Sequence, residues 1–230
     1  MTPSAILAWL STLDNEETKQ TKLKARLPGT CDWVQDIPEL QAWISGQSQH
    51  PVLWCYGLPG HGKSMLSSVI IDELERILCR PKQALVYVYS DYDKKIKGPD
   101  LLLSICRQLA SQCSELPWQL VKLYSQTAPE GRRPDIDETM LLNVAMCDAF
   151  SHVFIVVDGI DGVTRDWGRE LLLEKLQWMC NHGARVLISS GTHGDRPERC
   201  GCLEDIEDAL QGEPQLLMRP REKDVVAFVE

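Results

Sequence analysis

Residues Gly57-Leu58-Pro59-Gly60-His61-Gly62-Lys63-Ser64 fit the spacing G-x-x-x-x-G-K-[ST]. That spacing suits one kind of chemistry, the holding of phosphate. Glycines let backbone N–H groups converge on an anion, and a following helix N-terminus adds positive field. The lysine reaches the outer phosphates and the hydroxyl ligates Mg²⁺. Gly57, Leu58, Pro59, Gly60, His61, Gly62, Lys63, Ser64 and the next residue, Met65, are therefore candidate nucleotide-binding residues. Lys63 is also assigned to catalysis and Ser64 to the metal.

Such a loop needs a carboxylate that holds Mg²⁺ through water. Val153-Phe154-Ile155-Val156-Val157-Asp158 is a run of apolar residues closed by an acid, with Gly159 next. This describes a buried strand ending at the C-terminal edge of a parallel sheet, where ligands bind. Asp158 is the candidate metal-side carboxylate. Asp161 follows in the turn Gly159-Ile160-Asp161-Gly162 and is the candidate for positioning the attacking water. A plain turn aspartate before glycine is the alternative.

The elements that must place these groups are readable on both sides. Val52 to Tyr56 reads as a strand before the loop, and Met65 to Leu78 carries apolar residues at helical spacing after it. Further strands are expected over 84–89, 152–157 and 185–189, with a fifth over 215–218. Helices are expected over 5–13, around 33–45, and over 100–113, 118–125, 138–150 and 171–180. Residues 14–26 read as a second helix or an exposed connector. Strands alternating with helices imply an α/β fold with a parallel sheet covered on both faces. The long stretch between Ser64 and Asp158 leaves room for a strand between theirs. The expectation is a three-layer P-loop NTPase sandwich, its mostly parallel five-stranded sheet in the order 5-1-4-3-2. Residues 1–48 are assigned to a helical leader packed on the core, 49–220 to the core, and 221–230 to the start of a truncated helical subdomain.

Composition narrows the function classes. The formal net charge is −9, which disfavours an electrostatic grip on nucleic acid. The cysteines are scattered, several inside apolar runs, with no C-x-x-C; Cys200-Gly201-Cys202 is the closest approach to a metal pair. Free thiols, no secretory leader and no apolar run long enough to span a membrane together predict a soluble cytoplasmic protein. No [NT]-K-x-D guanine signature and no L-S-G-G-Q segment occurs, which disfavours a small GTPase and a transporter ATPase. Arg132 and Arg133 read as an exposed loop rather than a kinase lid.

With both phosphate motifs placed, the chain resembles a NACHT domain of the signal-transducing (STAND) P-loop NTPases. It is most similar to the fungal NOD-like-receptor and heterokaryon-incompatibility group that includes nephrocystin-3-like N-terminal domains. The segments that carry the resemblance are Ile6 to Ser11, Gly29-Thr30-Cys31-Asp32-Trp33, the loop at 57–64, Tyr87 to Tyr92, Leu101 to Leu109, Val156 to Asp161 and Asp224 to Val229. The resemblance implies that Lys63 and Ser64 bind phosphate and Mg²⁺, that Asp158 supports the metal and that Asp161 positions water. It also makes Gly29 and Thr30 candidates for base contacts. Two features depart from the family. Its fourth strand usually ends in Thr-Ser-Arg, whereas Ile188-Ser189-Ser190-Gly191 stands here, with Arg196 a few residues on. Gly162 replaces the acid that often follows the second aspartate. Loss of a charge-stabilising arginine, worth about 10³ to 10⁵ in rate, predicts slow hydrolysis with binding intact.

The sequence thus predicts a nucleotide switch that takes Mg²⁺ with ATP or ADP, GTP being left open by the residues. The resemblance implies self-association in the triphosphate state, flanking effector or repeat modules in a longer chain, and a role in fungal innate immunity. Two other readings stay open: a conventional soluble ATPase or small-molecule kinase, and a degenerate interaction domain that no longer exchanges nucleotide.

Overall fold

The computed structural model describes residues 2–78, 82–90, 94–192 and 204–229. Its strands are β1 (Val52–Tyr56), β2 (Gln83–Tyr89), β3 (His152–Asp158), β4 (Ala184–Ser190) and β5 (Gln215–Leu217). They lie in the order β2-β3-β4-β1-β5, which is the expected order read from the opposite edge. Each pairing is parallel, so the sheet is wholly rather than mostly parallel.

The helices before and after the phosphate loop are α1 (Pro3–Leu10), α2 (Asn15–Lys24), α3 (Pro38–Ser45) and α4 (Lys63–Ile77). Then come α5 (Gly98–Gln112), α6 (Trp118–Thr127), α7 (Ile136–Cys147) and α8 (Arg169–Cys180). Last are α9 (Glu204–Ala209) and α10 (Glu222–Val229). Strand side chains alternate between two faces, as the period of two requires. Val52, Val86, Ile155 and Val186 pack under α1, α5, α7 and α8. Leu53, Cys55, Phe154, Val156 and Leu187 pack under α3 and α4. The result is a three-layer α/β/α sandwich.

The stretch 14–26 resolves as helix α2, and it is not an exposed connector. Asp14 caps it, accepting from the Glu17 N–H at 2.9 Å. Lys19 is buried and donates to both Glu75 oxygens on α4, at 2.6 and 2.7 Å. Glu16 lies 3.0 Å from the same amine and accepts from the Tyr87 hydroxyl. Burial opposes the charge on Lys19, but its bonds to Glu75 and Glu16 outweigh that and hold its pKa above the ordinary lysine value. The ion pair therefore stays formed across the neutral range and ties α2 to the helix that begins at the phosphate loop.

β2 is an edge strand, and its outward backbone groups are met by side-chain amides. Leu85 donates to Gln112 at 3.1 Å and accepts from it at 2.8 Å. Tyr87 does the same with Gln108, at 3.1 and 2.8 Å. The third rung comes from α2, where Asn15 accepts from the Tyr89 N–H at 3.2 Å. Two glutamines one turn apart on α5 and one asparagine on α2 thus close the edge to a further strand.

On the opposite side, β5 closes against the start of the phosphate loop. Met218 N–H donates to Tyr56 O at 2.7 Å, and a Cβ on Gly57 would lie 2.5 Å from Met218 O. Gly57→Ala must therefore displace the end of β5, at an expected cost of about 1–3 kcal/mol. Urea denaturation tests this, and a change below about 0.5 kcal/mol, the scale of neutral surface substitutions, would show that the contact relaxes freely.

Candidate functional site

The phosphate loop starts where β1 ends. Gly60 and Gly62 take left-handed backbone angles, with φ +82° and +78°, which a side chain would strain. Gly62 is the N-cap of α4, and no side chain caps that helix. The first i−4 bond runs from Leu66 N–H to Gly62 O at 2.9 Å. The N–H groups of the preceding turn therefore face out of the helix end, where an anion would meet them. Lys63 Nζ donates to the carbonyls of Gly57 and Leu58, at 2.9 and 3.1 Å, so the amine lies across its own loop.

The sheet brings the acids to the same end. Tyr89, Asp158 and Ser190 sit at the C-terminal ends of β2, β3 and β4. Asp158 is buried, and its Oδ1 accepts from Ser67 Oγ and Ser189 Oγ, both at 2.7 Å. Ser189 Oγ in turn accepts from Gly159 N–H at 2.8 Å, which fixes the direction of its own proton. With Oδ1 occupied twice, Oδ2 takes no hydrogen bond among the described residues. A carboxylate held this way is oriented rather than merely present.

Lys63, Ser64, Asp158, Asp161 and Ser189 all line one cavity of about 360 Å³. Asp161 stands in a 3₁₀ turn over Ile160–Gly162, entered through Gly159 at φ +73°. Its Oδ1 is buried and has no hydrogen-bond partner among the described residues. A carboxylate oxygen in that state calls for a water or a cation. The hydroxyl of Ser64 and the oriented Asp158 offer oxygen donors, the kind that Mg²⁺ takes while keeping several waters, and the orphaned Asp161 oxygen is left to meet a water. The residues present fit the ion.

Burial pushes the Cys55 thiol well above its ordinary pKa, with the Asp158 charge adding to this, so it remains protonated. Burial likewise raises the Tyr89 phenol, whose hydroxyl meets Ser68 Oγ at 2.9 Å.

A second cavity, of about 330 Å³, lies on the other flank of the loop. Gly60, His61, Gly62 and Met65 form one wall, and Thr30, Cys31, Trp33, Met218 and Val225 form another. Thr30 is buried, with its hydroxyl on Leu27 O at 2.7 Å. Gly29 is not in the lining; at φ +79° it shapes the turn that delivers Thr30. Asp224 on α10 accepts from Trp33 Nε1 at 2.7 Å and from Cys31 N–H at 3.2 Å. The segments at 29–33 and 222–229 are thereby fastened to each other beside the loop.

The match to a sequence profile decides the family: the nephrocystin 3 N-terminal family aligns with residues 29–190. The chain belongs to that family. No curated protein sequence matches it. Among solved structures it is similar to the ORC1 protein of Aeropyrum pernix in complex with DNA. There the identity is 15%, the TM-score 0.56, and the match covers 92% of this chain and 47% of that one. Cdc6p from Pyrobaculum aerophilum is similar at 14% identity and TM-score 0.55, covering 94% of this chain and 50% of that one. Both likenesses show the P-loop NTPase fold, and the chain spans about half the length of those proteins.

Three arginines of this nephrocystin 3 N-terminal domain make contacts away from the phosphate loop. Arg132 pairs with Glu138 at 2.6 Å, and Arg133 with Asp100 at 3.4 Å, so neither reaches the loop. Arg185, at the start of β4, donates to Trp43 O at 3.1 Å. Gly191 brings no side chain to the cavity. Arg196, Cys200 to Cys202 and Asp91-Tyr92 fall outside the described residues. No described helix is long and apolar enough to cross a membrane.

Sequence reasoning missed Ser67, which bonds to Asp158 from below, and Ser189, Asn15, Thr18 and Lys22, which line the cavity with Lys63. Ser67 follows Ser64 by one helical turn, a spacing that offers a signal. The α2 residues offered none.

Proposed function

We propose that this chain is the nucleotide-binding switch domain of a STAND, NACHT-type protein, which binds Mg²⁺ with ATP or ADP and hydrolyses the triphosphate slowly. The observation that carries the reading is the single cavity shared by Lys63, Ser64, Asp158 and Asp161. In this reading the N–H groups at the start of α4 and the Lys63 amine hold the phosphates. Ser64 and Asp158 would hold Mg²⁺, and Asp161 Oδ1 accepts a proton from the attacking water. The ion, when bound, would neutralise charge that builds on the phosphate oxygens. The apolar cavity beside the loop, with Thr30 and Trp33 in its wall, suits a flat base.

Slow turnover follows from charge. The described lining of the phosphate cavity includes no arginine, and arginine is the group that most raises phosphoryl-transfer rates. Slow hydrolysis leaves the bound state long-lived, as a conformational switch requires. Self-association in the triphosphate state and a role in fungal innate immunity belong to the same proposal, resting on the family resemblance. The DNA bound by ORC1 of Aeropyrum pernix stays with that protein, since this chain carries a net charge of −9.

Thermal unfolding with and without Mg-ADP and Mg-ATP tests the reading. Nucleotide at about 100 times its dissociation constant should add about 2.7 kcal/mol. A melting temperature indifferent to both nucleotides would favour an interaction domain instead.

A further inference from the structure

We propose that Lys22, on α2, contacts the terminal phosphate of the bound triphosphate and lets the chain distinguish triphosphate from diphosphate. This rests on the nucleotide reading of the phosphate cavity and adds a residue from outside the loop and the sheet.

Three observations carry it. Asp14, Thr18 and Lys22 recur at every fourth residue, so they form one stripe of α2, and all three line the cavity that contains Lys63, Ser64 and Asp158. The Lys22 ammonium makes no ion pair among the described residues. It sits 5.8 Å from the centroid of the Tyr89 ring, and Tyr89 pairs in register with Asp158. A half-buried cation is thus held level with the proposed metal-side acid, with an aromatic face as its described partner. Finally, α2 is not free to drift. The bidentate Lys19–Glu75 pair fixes it to α4, and the Asn15 amide fixes it to the end of β2.

The cavity needs such a charge. Its acids are Asp14, Asp158 and Asp161, and its cations are Lys22, Lys63 and Lys94, none of them on β4. A triphosphate brings additional negative charge beyond its β-phosphate. Lys63 lines the cavity from the phosphate loop, Lys94 from the segment after β2, and Lys22 from α2. The cation would then belong to the leader helix rather than to the sheet.

Calorimetric titration of wild type, Lys22→Met and Lys22→Arg with Mg-ADP and with a nonhydrolysable Mg-triphosphate analogue tests this. Loss of a charge-assisted hydrogen bond should weaken triphosphate binding of Lys22→Met by about tenfold or more and leave diphosphate binding within about twofold. Lys22→Arg should retain the triphosphate preference. If both affinities of Lys22→Met fall together, or neither moves, Lys22 only covers Tyr89 and the proposal is overturned. If wild type itself binds neither nucleotide, the reading of the cavity fails, and this inference fails with it.

Discussion

Lys63→Ala is expected to weaken Mg-ATP binding by about 100-fold or more while leaving the protein folded. Each charge-assisted hydrogen bond to phosphate is worth about 1.5–3 kcal/mol, and an ammonium that turns from its loop carbonyls to the phosphates has three donors to offer. The fold should survive because Lys63 Nζ donates only to Gly57 O and Leu58 O within its own loop. The apolar stripe of α4 below it, from Leu66 to Leu74, is buried independently. Titration calorimetry reads the affinity, and circular dichroism confirms the fold. Affinity retained within about threefold, far less than one such bond contributes, would remove Lys63 from the site.

The second large effect separates chemistry from binding. Asp161→Asn should lower phosphate release by about 10² to 10⁴, the usual contribution of a positioned base. Triphosphate affinity should stay close to that of wild type. The amide keeps the shape of the side chain, but it cannot accept the proton of the attacking water. The 3₁₀ turn should persist, because Gly162 N–H bonds to Gly159 O at 2.8 Å without help from the side chain. Single-turnover assays are needed, since the wild-type rate is itself expected to lie well below the ordinary enzyme value of about 10 s⁻¹. Unchanged hydrolysis would leave Asp161 as a turn residue.

The sheet and the phosphate groups were legible in the sequence because their signals are local. β1 and β3 are continuous apolar runs, as strands buried on both faces must be. Lys63, Ser64 and Asp158 are fixed by a motif or by a strand end. α2 was only half legible, for a physical reason. Its buried face is polar rather than apolar, with Asn15 and Lys19 in place of leucines, so no hydrophobic stripe announces it. Asn15 reads as an ordinary polar residue until β2 is placed beside it. The clamp on Asp158 was hidden for a similar reason. Ser67 lies on α4 and Ser189 on β4, and only the folded sheet brings their hydroxyls to one oxygen. Short α9 gave too little periodicity to be seen. Thr30 joins the loop's second cavity by way of the turn at Gly29, which spacing alone does not reveal.

A crystal structure with Mg²⁺ and a nonhydrolysable triphosphate analogue is the most direct test of the central claim. The account predicts Ser64 Oγ on the cation, Asp158 in its water shell, and Lys63 Nζ on the outer phosphates, all within one cavity. An analogue seated elsewhere, or a cation that leaves Ser64 and Asp158 both untouched, would contradict it.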